Sequence, residues 1–254
     1  MEKSYKEKVV DVLKSLETGA PVPVSYINPN KYIQHNLAAA DGLAGLGALL
    51  AQLPPNSAKV NTIRAFTDGD FVFTHSEYNF FGPKIGFDIF RFENGLIVEH
   101  WDNLQETGKP NTSGHTMIDG ATGMKDMEKT ETNKTIISNF VNDIFLNGKM
   151  EKLADYYNGD NYIQHNPWIA DQLSGLVKGL GDLASQGISV KFDKIQKVLG
   201  QGNFVLCVSE GYLSGKHSSF YDMFRIENGK IAEHWDTIEE IPARENWKNA
   251  NGKF

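Results

Sequence analysis

Two stretches of this chain occur twice, and their spacing limits what it can fold into. Tyr32-Ile33-Gln34-His35-Asn36 returns unchanged as Tyr162-Ile163-Gln164-His165-Asn166. Phe87–Asp102, FDIFRFENGLIVEHWD, returns as Tyr221–Asp236, YDMFRIENGKIAEHWD, with eleven of sixteen positions identical. The offsets are 130 for YIQHN, 133 for FVFTHSEYNF against FVLCVSEGYL, and 134 for EHWD. A period near 130 exceeds the roughly 20–50 residues of a solenoid unit and matches a complete small domain. Two homologous domains in tandem are therefore expected, over residues 1–106 and 128–254. Residues 107–127, rich in Gly and Thr, read as a linker between them.

Each copy has the same internal order. Val9, Val10, Leu13 and Leu16 recur at helical spacing in the first, and Ile136, Ile137, Phe140, Ile144 and Phe145 in the second. YIQHN follows in a short extended or irregular piece. A Leu- and Gly-rich helix comes next, with Asp41 or Asp171 as N-cap and with Gly45 or Gly175 marking a close approach to another backbone. The last half of each copy reads as four antiparallel strands, with turns such as Asp68-Gly69 and Asn94-Gly95. Helices followed by a run of strands predict an α+β fold, a curved sheet wrapped on helices, in each half.

The EHWD hairpin carries the candidate chemistry. A type I turn with a bulged Gly95 would pair Phe92 with Leu96 and Asp88 with His100. Asp88, His100 and Asp102 would then share one apolar face with Phe90, and Asp222, His234 and Asp236 would share the equivalent face with Phe224. A two-residue turn would set Asp88 against Trp101 and break the group. Neighbouring buried carboxyls beside an imidazole have shifted pKa values and suit general acid–base work. The same residues also admit a structural reading, in which Arg91 or Arg225 satisfies the aspartates. Tyr32, His35, His75, Trp101, Tyr162, His165, Trp168 and Trp235 are the candidate ligand contacts, although Trp101 and Trp235 suit packing better. A metal site from His35, His100 and Asp102 finds no support in Cys or HExxH-type spacing; no metal and no cofactor is expected.

Composition narrows the partners. The formal net charge of −7 leaves no basic excess for nucleic acid. Cys207 is the single cysteine, so no internal disulfide forms. No stretch is apolar for the roughly 18–20 residues of a membrane span, and the charged start MEKSYKEKVVDVLKSL lacks a signal-peptide core. A soluble, cytoplasmic protein is expected.

The pattern YIQHNP, a Gly-bearing middle helix, then D-x-F-R-x-x-x-G-K-I-x-E-H-W-D resembles the SnoaL-like polyketide cyclases of the nuclear transport factor 2-like superfamily. The second copy fits nearly throughout, from Tyr162–Pro167 to Asp222–Arg225 and Gly229–Asp236. The first departs at Leu37 and Leu96. The resemblance implies a cone-shaped α+β barrel and a cofactor-free intramolecular aldol closure. It implies Asp102 and Asp236 as acid/base, with His100, His234, Asp88 and Asp222 beside them. It also implies sheets packed back to back, here as a pseudo-dimer within one chain. Crosslinking with light scattering checks that pairing, and independent tumbling of the halves would refute it. Three functions stay open: an enzyme moving protons on a small carbonyl compound (cyclase, isomerase or dehydratase), a non-catalytic binding module for an apolar small molecule, and a docking protein using its sheet. His75 aligns with Val208, and Leu37-Ala38 with Pro167-Trp168, so the two pockets are expected to differ.

Overall fold

A computed structural model describes residues 2–254. The chain divides into two compact units, each an α+β fold built on a five-stranded sheet. The first contains α1 (Tyr5–Thr18), β1 (Ile33–Gln34), α2 (Gly42–Leu50), β2 (Lys59–Asp68), β3 (Phe71–Asn79), β4 (Pro83–Glu93) and β5 (Leu96–Glu106), with sheet order β1-β5-β4-β3-β2. The second contains α3 (Thr130–Phe140), which runs into a π-helical turn at Val141–Leu146. Then come α4 (Leu153–Tyr156), β6 (Ile163–Gln164), α5 (Gln172–Ser185), β7 (Val190–Gln201), β8 (Phe204–Leu213), β9 (Lys216–Glu227) and β10 (Lys230–Glu240), in the order β6-β10-β9-β8-β7. No helix among the described residues is long and apolar enough to cross a membrane.

α1 begins at a capping box, in which Ser4 and Glu7 satisfy each other's backbone N–H groups. Its stripe of Val9, Val12 and Leu13 packs against Val72, Phe90, Phe92 and Ile97 of the sheet. In the second unit Ile137, Phe140 and Ile144 pack against Val205, Phe224 and Ile231. These cores lie on the helix-facing side of each sheet.

The hairpin turn differs from expectation. Asn94 (φ 50°) and Gly95 (φ 81°) form a two-residue turn, and Glu93 pairs with Leu96. Two central residues at positive φ match the right-handed twist of the strands. The feared loss of the carboxylate group does not follow, because β5 bulges at Val98 and shifts the register by one more residue. Asp88 therefore pairs with Asp102 and Phe90 with His100, rather than Asp88 with His100. The second unit repeats this with a bulge at Ala232, pairing Asp222 with Asp236 and Phe224 with His234.

The compact units depart from the expected boundaries at two places. Residues 107–127 are not a loose linker but part of the second unit, which spans Thr107–Ile241. Buried Asn111 anchors them by donating to the carbonyls of Gln164 (2.7 Å) and Ile169 (3.0 Å). Pro242–Phe254 belongs to the first unit, where Asn249 donates to Asn36 and Ala39, and Asn251 to Gln34. Each unit thus holds the segment that follows the other's last strand.

Gly45 is required by proximity. A Cβ there would lie 1.9 Å from the Ala40 carbonyl oxygen, and one at Gly175 would lie 2.7 Å from that of Ala170. Gly45→Ala is expected to lower stability by about 1–3 kcal/mol, read as a fall in the thermal midpoint. An unchanged midpoint would contradict the close approach.

Candidate active site

The YIQHN strand sets the site. β1 runs parallel to β5, and β6 to β10, with Gln164 opposite His234. In an extended strand successive side chains alternate faces, so Tyr162, Gln164 and Asn166 turn to the helix side while Ile163 and His165 turn away. Asp41 and Asp171 stand at the N-cap positions without capping their helices; their Oδ1 atoms accept the N–H of Gln34 and Gln164 instead. They hold the strand end in place.

In the second unit Gln164 Oε1 accepts the backbone N–H groups of His165 (2.9 Å) and Asn166 (3.0 Å), while its Nε2 donates to the Tyr162 hydroxyl (2.7 Å). That fixes the amide orientation. His234 Nδ1, 3.0 Å from Gln164 Oε1, therefore donates to it. His234 Nε2 lies 3.0 Å from Asp222 Oδ1, so this pair shares one proton. Burial alone would lower the pKa of His234. The bond to Asp222 and the charges of Asp236 and Asp222 outweigh it and raise the pKa. Asp222 Oδ2 is buried and has no hydrogen-bond partner among the described residues.

Asp236 completes the group. Asn166 Nδ2 donates to both its oxygens, at 3.1 and 2.8 Å. Burial, helped by the neighbouring charge of Asp222 and opposed by His234 and Asn166, pushes its carboxyl up to about 6. Tyr162, Gln164, Asn166, Asp222, His234 and Asp236 line a cavity of about 450 Å³, and apart from Ser214 and Lys216 the rest is mostly apolar, including Phe145, Leu176, Leu180, Phe192, Phe220 and Phe224. Trp168, more than half exposed, lines it too. Another hollow of about 390 Å³, along α1 and β2, is lined by none of these carboxylates.

The first unit keeps the constellation but engages both of its aspartates with further side chains. His100 contacts Gln34 Oε1 (2.8 Å) and Asp88 Oδ1 (3.0 Å), and Asn36 donates to Asp102 (2.5 Å). Tyr32 is buried near His100, with ring centroids 6.5 Å apart. The Tyr78 hydroxyl, however, donates to Asp88 Oδ2 at 2.5 Å, the oxygen whose counterpart is unpartnered in the second unit. Lys253 Nζ lies 3.5 Å from Asp102 Oδ1, both groups buried. Tyr78 pairs with Lys84; the residue at the same register in the second unit is Gly211, opposite Ser218. Gly86, whose Cβ would meet Tyr78 at 2.8 Å and Leu104 at 2.5 Å, makes room for the ring. Its counterpart is the cavity-lining Phe220. The large and small residues have changed places.

Several expected contacts lie elsewhere. His35, Trp101, His165 and Trp235 are on the opposite face, because one-residue alternation turns them away from Gln34, Asp102, Gln164 and Asp236. His35 stacks on Trp101 and His165 on Trp235, each with centroids 4.6 Å apart. His165 Nε2 contacts Glu233 (2.9 Å), which also accepts from Arg225 Nε (2.7 Å). His35, Glu99 and Arg91 repeat this chain. The arginines thus pair with glutamates and not with the aspartates. His75 is also on this far face, stacked on Phe87 and 3.1 Å from Arg64. His35 and His100 being on opposite faces, no metal site joins them. Gln164, Asn166 and Tyr78 were the residues overlooked.

No family model matches the chain, and no curated protein matches it. Solved structures do. An NTF2-like protein of unknown function from Cytophaga hutchinsonii is 14% identical, over 41% of this chain and 93% of its own, at a TM-score of 0.36. A SnoaL-like polyketide cyclase from Agrobacterium tumefaciens is 13% identical, over 42% and 91%, at 0.34. TsrD from Streptomyces laurentii is 19% identical, over 41% and 92%, at 0.34. The matched share of this chain is close to one unit, and the matched share of each solved chain is nearly whole.

Proposed function

We propose that the second unit binds a small, largely apolar carbonyl compound and moves a proton at the carbon beside the carbonyl. The observation that carries this reading is Asp236: a buried carboxyl with a pKa near 6, lining a mostly apolar cavity. A base poised near working pH is what carbon deprotonation requires. Asp236 takes the proton and returns it, which covers cyclisation, isomerisation and dehydration. Asp222, whose Oδ2 has no other partner among the described residues, donates the proton of the Asp222–His234 pair from that oxygen to the carbonyl oxygen as negative charge builds there. Asn166 keeps the Asp236 carboxylate oriented. The apolar walls exclude water and strengthen each of these contacts.

The reading is tested without knowing the natural substrate. A panel of aromatic and alicyclic ketones is incubated with the protein in D2O, and NMR follows the loss of the protons beside the carbonyl. The enzyme-dependent rate should rise with pH through about 6, as Asp236 loses its proton. A rate that stays flat between pH 5 and 8 contradicts the assignment. The second reading, a binding module without turnover, is favoured by the predominantly apolar lining of the same cavity. It predicts saturable ketone binding with no exchange at any pH.

A further inference from the structure

We infer that the far face of the second unit holds a divalent transition-metal site, of the zinc class, formed by His115, Asp119 and His165. A donor atom from each of the three lies within 4.8 Å of the others. The sequence suggested no metal site, because His115 and Asp119 fall in a stretch that reads as linker.

Three features distinguish this group from a chance cluster. The first is which nitrogen each ring presents. His165 Nδ1 is 2.6 Å from Asp119 Oδ1, and His115 Nδ1 is 3.4 Å from Asp119 Oδ2. Both imidazoles therefore turn Nδ1 to the same carboxylate. The second is what backs the remote nitrogens. His165 Nε2 meets Glu233 at 2.9 Å, and His115 Nε2 meets Asp171 at 3.2 Å. A carboxylate behind each imidazole fixes ring and tautomer and raises ligand basicity, as in carboxylate–histidine–metal arrangements. Glu233 is itself aligned by Arg225 at 2.7 Å. His165, its side chain fully buried, is held flat on Trp235.

The third feature is charge. Asp119, Asp171 and Glu233 contribute −3 and Arg225 contributes +1, leaving −2 for neutral imidazoles, which a divalent cation balances. Two imidazoles and a carboxylate suit zinc, with a fourth position left for water or for the Thr116 carbonyl, 2.9 Å from His165 Nδ1. Among the described residues the matching face of the first unit has no such set, since His35 Nδ1 meets the Gly252 carbonyl at 2.8 Å; the first unit's grouping of His and carboxylates, Asp88, His100 and Asp102, is on the helix side. Such an ion would fasten residues 107–126 to the second unit.

The test is zinc titration of the full chain after chelator stripping, by calorimetry against a competing chelator. One equivalent should bind per chain. Affinity should fall as pH is lowered, because protons compete with the metal for its ligands. His115→Gln should abolish this uptake, and Asp171→Asn should weaken it about 10–100-fold, while His217→Gln on the surface leaves it unchanged. Zinc should also raise the thermal midpoint of the wild type and not of His115→Gln. Circular dichroism identifies a misfolded variant, and Asp119→Asn then takes its place. No uptake, or uptake that His115→Gln and Asp119→Asn leave intact, overturns the assignment.

Discussion

Asp236→Asn is expected to stabilise this protein at pH 8 and to remove the proton-transfer activity proposed for it. Both effects follow from one shift, from 3.8 to about 6. The folded state holds this proton more tightly than the unfolded chain. The contribution to stability is therefore complete below about pH 4 and is lost as pH rises through about 6. Two pKa units correspond to about 3 kcal/mol, so at pH 8 the buried carboxylate costs the fold up to about that much. Asparagine keeps an acceptor for Asn166 and carries no charge. The thermal midpoint of the variant should exceed that of the wild type at pH 8, by several degrees, and the difference should vanish near pH 4. Turnover should fall about 10²–10⁴-fold, the usual contribution of a general acid–base group. A variant that is less stable at pH 8, or equally active, would show that Asp236 is a structural carboxylate.

Tyr78→Ala should do the reverse. Tyr78 is 2% exposed in the first core and stacks on Phe80 with centroids 4.8 Å apart. Removing the ring leaves a cavity, and removing the hydroxyl leaves Asp88 Oδ2 buried without its donor. The expected loss is about 3–5 kcal/mol, measured by denaturant unfolding. Ketone exchange by the folded variant should not fall, because Tyr78 is not among the residues that line the second unit's cavity, where the exchange is proposed to occur. A loss below about 1 kcal/mol would mean that the ring does not fill the space its partner unit leaves open.

Much of this was legible in the sequence. The duplication, the strands and the shared face of His100 and Asp102 follow from repeats and two-residue periodicity, whereas placing Asp88 on that face rested on a bulged turn that the structure does not have. The register was not, because it depends on a bulge at Val98 that cancels the effect of a two-residue turn. The same periodicity places Gln164 and His165 on opposite faces, so the misplacement of the histidines was avoidable from YIQHN alone. The segments after β5 and β10 were unreadable for a different reason. Their Gly- and Asn-rich composition signals a loop, but their order comes from tertiary bonds made by Asn111, Asn249 and Asn251. The exchange of Tyr78 and Gly86 for Gly211 and Phe220 was visible in an alignment of the halves. It gained meaning only when the register set both pairs beside an aspartate.

The central claim is that one unit works and the other is a filled copy. It is tested most directly by measuring ketone hydrogen–deuterium exchange for Asp236→Asn and Asp102→Asn side by side at pH 7.5. The predicted result is exchange lost in the first variant and retained in the second, with circular dichroism showing both folded. Loss in both, or loss in Asp102→Asn alone, would contradict it.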